Sequence, residues 1–316
     1  MKQTLLIALL LAGITPLCAP SISQAASTST AYLGMDAPPL QVRDWVQGGP
    51  LSPGGKGNTN IYVVEFWATW CGPCKRSIPH LSELQTRFRS RGVLFVGVSD
   101  EAQDKVAPFV KEMGARMNYA VALDDNGKTT AAYMTAFGET GIPHAFVVGR
   151  DQKVLWSGHP LAGLDGVLDE ILSGRFDLAK SKVASQFLKE AQRYLTLVTT
   201  AGASPESDRL GRKIVSDVKD QPPLLMQFAQ VILFDNRVKA KDLKLALEAA
   251  QQAIVATGRT DAGALQIYAH ALAQNGQRAE AIAVLKEALP QVKQPADREK
   301  LEADMAEFQK GSIGSK

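Results

Sequence analysis

The chain has 316 residues, more than one ordinary domain needs, so its length favours two domains and a sizeable core. Its 35 basic and 32 acidic residues give a formal charge of +3, a balance that argues against nucleic acid or a membrane surface as a partner. Three cysteines are too few for a small scaffold stapled by disulfides, so they favour chemistry over structure.

The first 25 residues have the features of a secretory signal peptide. Lys2 precedes the apolar run TLLIALLLAGI, and Pro16 breaks that run before a small-residue exit at Ala25. An uncleaved membrane anchor is the alternative, but the run is shorter than the about 20 residues that span a bilayer. We therefore expect cleavage before Ala26 and a periplasmic location, with Cys71 and Cys74 as the cysteines that remain.

The first strong strand follows a turn-rich approach, residues 27–60, which is rich in Ser, Thr, Gly and Pro. Ile61–Phe66 and Val93–Val98 are continuous β-branched and aromatic runs, typical of strands that are covered on both faces. A helix beginning near Cys71 lies between them. Strand, helix and strand in this order predict a parallel crossover.

A second group of elements follows, and its last two members predict a hairpin. In order, these are a helix near Lys105–Met113, a strand near Tyr119–Leu123, a helix near Lys128–Phe137, and the strands Ala145–Val148 and Val154–Trp156.

From about residue 180 the strand patterns stop and an alanine-rich helical pattern begins. Three small or apolar residues recur 35 residues further on: Ala246, Ala250 and Ala253 return as Ala281, Leu285 and Ala288. This period is close to that of tetratricopeptide repeats, about 34 residues, in which small residues let paired helices approach closely. Ordinary alanine-rich helices with accidental spacing are the alternative. Helices near 181–199 and 206–219 are interpreted as an atypical first pair or cap, ahead of a helix at Leu224–Phe234.

The stretch EFWATWCGPCKRSIP carries the strongest chemical pattern. Pro73 suits the first turn of a helix, and this places Cys71 at the helix N-terminus, where unpaired N–H groups and the helix dipole stabilise a thiolate. We therefore expect Cys71 to be the exposed nucleophile. Cys74, one turn further on and more buried, would resolve a mixed disulfide by attacking Cys71.

A metal clip and an inert cysteine pair are the alternatives to redox chemistry. A metal site needs further ligands, yet there is no second CxxC. The four histidines, His80, His144, His159 and His270, have no ligand-like spacing. The sequence thus favours a redox-active Cys71–Cys74 disulfide, with no metal and no other cofactor.

With these residues in view, VVEFWATWCGPCK resembles the active-site segment of thioredoxins, and residues 33–177 as a whole resemble TlpA/ResA-type thiol-disulfide oxidoreductases of the AhpC/TSA-redoxin superfamily. The resemblance implies an α/β thioredoxin-like fold over residues 26–177. An all-α helical-repeat (TPR-like) domain would follow over residues 178–316. A fragment of residues 26–177 is expected to fold and keep the chemistry.

The resemblance also implies roles for residues around the cysteines. Pro143 would be the cis-proline that faces the disulfide, and the backbone of Ile142 would pair with the substrate chain as a short added strand. The implied substrate-binding residues are Trp70, Gly72, Pro73 and Ile142.

Glu65 occupies the position at which thioredoxins carry a buried acid. Desolvation in an apolar strand would raise its pKa toward neutrality, which suits a group that exchanges a proton with Cys74. The alternative is a glutamate on a strand edge, bonded to neighbouring backbone.

Two positions depart from the family pattern. Ser77 stands where many ResA-like proteins carry an acid three residues after the second cysteine, and His144 follows Pro143 where threonine is common. His144 could modulate the cysteines or bind copper with them, or it could have an ordinary hydrogen-bonded role.

These observations predict a thiol-disulfide oxidoreductase that reduces protein disulfides, since Gly-Pro between the cysteines resembles the reducing members, although the direction stays open. Its expected partners are a protein disulfide substrate, a membrane-bound or soluble thiol electron donor, and a peptide or protein bound by the TPR-like region. Two rival functions are a scaffold dominated by that region and a thiol peroxidase. The second lacks its Thr-x-x-Cys pattern, because the residue three before Cys71 is Ala68.

Overall fold

A mixed β-sheet and a succession of helices make up the computed structural model, which describes residues 31–55 and 57–310. The expected signal peptide, residues 1–25, lies outside these ranges. The strands are β1 Val42–Gln47, β2 Ile61–Phe66, β3 Val93–Ser99, β4 Ala120–Asp124, β5 His144–Val148 and β6 Val154–Gly158. The helices are α1 Gly72–Phe88, α2 Gln103–Met113, α3 Lys128–Thr130, α4 Leu164–Leu172, α5 Leu178–Thr200, α6 Pro205–Asp217, α7 Pro222–Phe234, α8 Leu243–Ala256, α9 Ala262–Gln274, α10 Arg278–Ala288 and α11 Pro295–Lys310.

The sheet has the strand order β1-β4-β3-β2-β5-β6. Strands β2, β3 and β4 are parallel to one another, which confirms the predicted crossover through α1. Strands β5 and β6 form the predicted antiparallel hairpin, and β5 pairs with β2 on its other side. All six residues of β2 are buried because the strand has neighbours on both sides and helices over both faces, as its run of β-branched and aromatic residues indicated.

Strand β1 was missed by the sequence interpretation, which treated residues 27–60 as turn-rich approach. It pairs antiparallel with β4 at the sheet edge, with register shifts between Val42 and Asp44 and between Trp45 and Gln47. These irregularities, together with the charged residues Arg43 and Asp44, remove the alternation of apolar and polar residues by which a half-buried strand is recognised.

Apolar side chains on the two faces of the sheet form separate cores. The first contains both cysteines and the inward side of α1, with Ile78, Leu81 and Phe88 as large members. The second lies on the opposite face and includes Tyr133, Phe137 and Phe146. Because successive residues of a strand point to opposite faces, β2 contributes to both cores.

The helical region from α5 to α11 has its own apolar core. The six residues that repeat at a spacing of 35 are all fully buried there, on α8 and α10, and both helices pack against α9. The expected helices near 181–199, 206–219 and 224–234 are confirmed as α5, α6 and α7. Over residues 31–55 and 57–310, no helix has both the length and the apolar character that a membrane crossing requires.

The chain passes from the sheet region to the helical region between α4 and α5. Gly174 has a φ of +73°, a conformation that suits glycine at a helix end, and Asp177 caps α5 by accepting hydrogen bonds from Ala179 N and Lys180 N. Helix α5 nevertheless contacts the sheet, since Ser181 Oγ donates to Leu155 O of β6 at 3.0 Å and Leu178 packs against the second core.

Candidate active site

The cysteine pair lies where β2 leads into α1. Cys71 is the N-cap of α1, with Pro73 in the first turn, and the Cys74 N–H donates to Cys71 Sγ at 3.1 Å. The two sulfurs form a disulfide with Cα atoms 5.3 Å apart. In the reduced protein the same N–H and the helix N-terminus would stabilise a thiolate on Cys71 rather than on Cys74.

The expectation that Cys71 is exposed is not met in this oxidised form. Cys71 is 3% exposed and Cys74 fully buried. The Cys71 sulfur is bonded to Cys74 and lies 3.7 Å from Ile142 O, so little of its surface is left for solvent. The surface around it is open, because Gly72 and Pro73 are exposed and Trp70 is 72% exposed. A substrate can therefore reach the pair from the side of these three residues.

Glu65 is buried in the central part of the sheet, in contradiction to the strand-edge alternative. It lies on β2 opposite Gly97 on one side and Ala145 on the other. Its Oε2 accepts a hydrogen bond from the Tyr119 hydroxyl at 2.9 Å, whereas Oε1 is buried without a hydrogen-bond partner. Along β2, Glu65 has the same parity as Val63 and Trp67, which belong to the core of the two cysteines.

Burial controls the protonation of this carboxyl group. Desolvation raises the pKa of Glu65 to about 8, and the hydrogen bond from Tyr119 opposes the rise by favouring the carboxylate. The pKa of the Tyr119 hydroxyl is itself raised, first by its own burial and then by the charge of Glu65. A carboxyl group with a pKa near neutrality can both accept and release a proton in the working range of a thiol.

Two residues in this core were not singled out from the sequence, Tyr119 and Gly97. The Trp67 indole stacks on Phe109 with ring centroids 5.3 Å apart, and a Cβ on Gly97 would lie 2.8 Å from Trp67 Nε1 and 3.1 Å from the Tyr119 ring. Glycine is thus required at position 97 for Trp67 and Tyr119 to pack beside Glu65. No local pattern marks these residues, because the contacts join three separate strands or loops.

The loop before β5 supplies the other side of the site. The Ile142–Pro143 peptide bond is cis, as the family resemblance implied, and Ile142 is the residue whose carbonyl faces Cys71. On the far side of the cysteines, Glu101 accepts hydrogen bonds from both the N–H and the hydroxyl of Thr69, at 2.6 and 2.8 Å. Glu101 therefore fixes the turn that leads into Trp70 and Cys71.

The two positions that depart from the family pattern are both buried. Ser77 donates to Cys74 O within α1 at 3.0 Å. His144 has Nε2 2.7 Å from Ser157 Oγ and Nδ1 3.8 Å from Glu139 Oε2. Desolvation lowers the pKa of His144 to about 4; Glu139 opposes this, and the charges of Lys189 and His159 add to it. His144 is therefore neutral at neutral pH.

In residues 31–55 and 57–310, no group of three or more His, Cys, Asp or Glu side chains is arranged to hold a metal ion.

A disulfide-forming cysteine pair at the N-terminus of the helix that follows a central strand, with a buried carboxyl group on that strand, defines a thiol-disulfide oxidoreductase. Comparison with known proteins agrees. The model of the AhpC/TSA family matches residues 34–157. Protein FixW of Rhizobium leguminosarum is 30% identical over 156 residues, which are 47% of this chain and 69% of FixW.

A second relative is also named as a thiol-disulfide oxidoreductase. Thiol-disulfide oxidoreductase ResA of Bacillus thuringiensis subsp. konkukian is 28% identical over 124 residues, 39% of this chain and 67% of ResA. A crystal structure of a thioredoxin-family thiol:disulfide interchange protein from Chlorobium tepidum TLS aligns with a TM-score of 0.38 and 28% identity, covering 44% of this chain and 97% of that one. The chain belongs to the AhpC/TSA family and is a homologue of the ResA and FixW proteins.

Proposed function

We propose that this protein is a periplasmic reductase of protein disulfides that works through the Cys71–Cys74 dithiol. The observation that carries the proposal is the placement of Cys71 at the N-cap of α1, disulfide-bonded to Cys74 one turn further on. Reduction is favoured over oxidation because Gly-Pro between the cysteines resembles the reducing members of the family. The periplasmic location is supported by the signal-peptide features of residues 1–25.

The reaction has two sulfur exchanges and moves two electrons. The Cys71 thiolate attacks one sulfur of the substrate disulfide; a mixed disulfide forms and the other substrate sulfur leaves as a thiolate. The Cys74 thiolate then attacks Cys71 Sγ, which closes the Cys71–Cys74 disulfide and releases the second substrate thiol. A thiol electron donor, membrane-bound or soluble, restores the dithiol by the reverse exchanges. No cofactor besides the dithiol is required.

Glu65 acts in the second exchange. Cys74 is buried and must lose its proton before it can attack, and a carboxyl group with a pKa of about 8 can take that proton up near neutral pH. Tyr119 stabilises the carboxylate that accepts it. In the first exchange the Ile142 backbone, beside Cys71, pairs with the substrate chain, and the exposed Trp70, Gly72 and Pro73 contact the rest of the substrate.

The helical region is proposed to bind a peptide or protein partner in the manner of tetratricopeptide repeats. This is supported by the burial of the repeated small residues on α8 and α10, which bring consecutive helices close together. Binding there would raise the effective concentration of a partner's disulfide at Cys71.

The experiment is insulin reduction with dithiothreitol as donor, followed by trapping of mixed disulfides with Cys74→Ala in a periplasmic extract. Wild type should accelerate insulin reduction and Cys71→Ala should abolish the acceleration. A scaffold would instead keep its partner after both cysteines are replaced, so equal partner capture by wild type and the double variant, without insulin reduction by wild type, would refute the proposal.

A further inference from the structure

The loop that carries Ile142 has few backbone-to-backbone hydrogen bonds. Gly138 N donates to Thr135 O and Glu139 N to Met134 O, which hold the start of the loop. Within the part of the chain that the structure describes, residues 140–142 make no backbone-to-backbone hydrogen bond. The position of the Ile142 backbone therefore depends on side-chain contacts: those of Ile142 itself with the two cores, and those at the two ends of the loop.

Lys189 of α5 contacts the start of this loop. Its Nζ donates to Phe137 O at 2.6 Å and lies 3.4 Å from Glu139 Oε1. The other carboxylate oxygen, Glu139 Oε2, lies 3.8 Å from His144 Nδ1, just beyond Pro143. Lys189 thus contacts the start of the segment that holds Ile142, and Glu139 lies between Lys189 and the neutral His144 at the other end of that segment.

Helix α5 and His144 are both anchored on strand β6. Helix α5 is fixed to β6 by the hydrogen bond from Ser181 Oγ to Leu155 O, and His144 is fixed to β6 by its 2.7 Å contact with Ser157 Oγ. Lys189 lies two helical turns beyond Ser181, toward the end of the sheet where His144 begins β5. The helix is therefore placed to hold the loop at a constant distance from the sheet.

We propose that Lys189 is a positioning residue for the reduction of protein disulfides, which holds the 138–142 loop so that the Ile142 backbone is presented to the substrate chain beside Cys71. This inference rests on the proposed function. Lys189 touches none of the reacting sulfurs, so it acts on the binding of an extended chain and not on sulfur exchange. Without it, the loop must be ordered when the substrate binds, and that ordering weakens binding.

The test uses the full-length protein and compares Lys189→Met with Lys180→Met, an exposed lysine on the same helix. The substrates are insulin, whose chain can pair with Ile142, and hydroxyethyl disulfide, which has no peptide backbone. Lys189→Met should raise the KM for insulin about threefold to tenfold, with kcat unchanged. The rate with hydroxyethyl disulfide should stay at the wild-type value, and Lys180→Met should match wild type throughout.

Three further variants and one spectroscopic readout complete the test. Lys189→Arg, which keeps a donor, should restore most of the insulin KM, and Glu139→Ala, which leaves α5 unchanged, should raise it. The double variant Lys189→Met with Glu139→Ala should raise KM by less than the product of the two single effects, because the residues act through one contact. The pKa of His144, which the charge of Lys189 lowers, should rise in Lys189→Met by NMR titration and not in Lys180→Met.

Two results would overturn the inference. One is an insulin KM in both Lys189→Met and Glu139→Ala equal to that of Lys180→Met; the other is equal slowing of insulin and hydroxyethyl disulfide. Failure of the proposed function is distinct, since wild type itself would then reduce neither disulfide.

Discussion

Tyr119 donates its hydroxyl hydrogen to Glu65 Oε2 at 2.9 Å across 54 residues of sequence, and both side chains are buried in the core that contains the cysteines. This hydrogen bond provides a partner for Glu65 Oε2, whereas Glu65 Oε1 has no hydrogen-bond partner. Two opposed effects therefore set the acidity of Glu65: burial favours the neutral acid and Tyr119 favours the carboxylate.

Tyr119→Phe should shift the pH dependence of the second exchange to higher pH. Removing the donor takes away the effect that lowers the pKa of Glu65, so the carboxylate becomes available only at more alkaline pH. A hydrogen bond to a charged group contributes about 1.5–3 kcal/mol, which corresponds to an upward displacement of about one pH unit or more. The measurement is the rate of mixed-disulfide resolution as a function of pH. A range of about pH 6 to 10 contains the titration of Glu65 in both proteins.

Tyr133→Phe is the matched control for Tyr119→Phe. Tyr133 is also fully buried, but its hydroxyl donates to Pro38 O on the opposite face of the sheet. Its pH profile should coincide with that of wild type. Profiles displaced equally in the two variants would show that loss of any buried hydroxyl disturbs the site, and the role given to Tyr119 would be wrong.

Glu65→Gln should stabilise the oxidised protein progressively as the pH rises. The pKa of Glu65 is near 4.5 in the unfolded chain and about 8 in the folded one, so between these values the folded state holds a proton that the unfolded state lacks. Raising the pH through this window therefore destabilises the wild type, with the full effect above pH of about 8. Glutamine resembles the protonated acid and has no such dependence.

By pH 7 the difference in the free energy of unfolding between Glu65→Gln and wild type should be about 3 kcal/mol, and it should be close to zero below a pH of about 4.5. Urea unfolding at several pH values measures it. A difference independent of pH would mean that Glu65 is ionised in the folded protein and that its burial is offset elsewhere.

The sequence predicted the sheet region well because its strongest features are local. The apolar run at Ile61–Phe66 and the proline after Cys71 fix a buried strand and a helix start from neighbouring residues alone. Tyr119, Gly97 and Lys189 could not be found in this way, because each acts through a contact between distant segments. Strand β1 was missed for a different reason, since its register shifts remove the periodicity that identifies a strand.

The two thiols should differ in reactivity despite their similar burial. Cys71 Sγ accepts a hydrogen bond from the Cys74 N–H at the N-terminus of α1. The reduced Cys71 should therefore be alkylated at pH values well below the ordinary thiol pKa of about 8.5. Alkylation of the reduced protein as a function of pH, with peptide mapping, distinguishes the two. Faster modification of Cys74 would reverse the assigned roles of nucleophile and resolving cysteine.

Gly97→Ala should destabilise the sheet region by about 1–3 kcal/mol, because the added methyl group overlaps Trp67 Nε1 and the Tyr119 ring. Gly166→Ala is the control: Gly166 lies within α4 with open space around it, and alanine there should be neutral or stabilising. Urea unfolding of both variants gives the comparison. Equal stability of Gly97→Ala and wild type would show that Trp67 and Tyr119 can move without loss.

The domain boundary can be tested with two fragments, residues 26–177 and residues 26–201. Every residue proposed to take part in sulfur exchange lies before residue 177, so the shorter fragment should fold and keep the kcat of the full chain for insulin. It lacks α5, however, and with it Lys189 and the cover that Ser181 provides for the edge strand β6. Its KM should therefore be raised by the same factor as in Lys189→Met.

The longer fragment retains α5 through its C-cap, Ala201, and should have the insulin KM of the full-length protein. An uncovered edge strand can pair with another chain. The shorter fragment should therefore aggregate at a lower concentration than the longer fragment, which light scattering would detect. The KM for a physiological partner that binds α6 to α11 should differ between the longer fragment and the full chain, whereas the KM for insulin should not. If the shorter fragment had the full-length KM, α5 would have no part in substrate binding, and if it failed to fold, the boundary at residue 177 would have to move beyond α5.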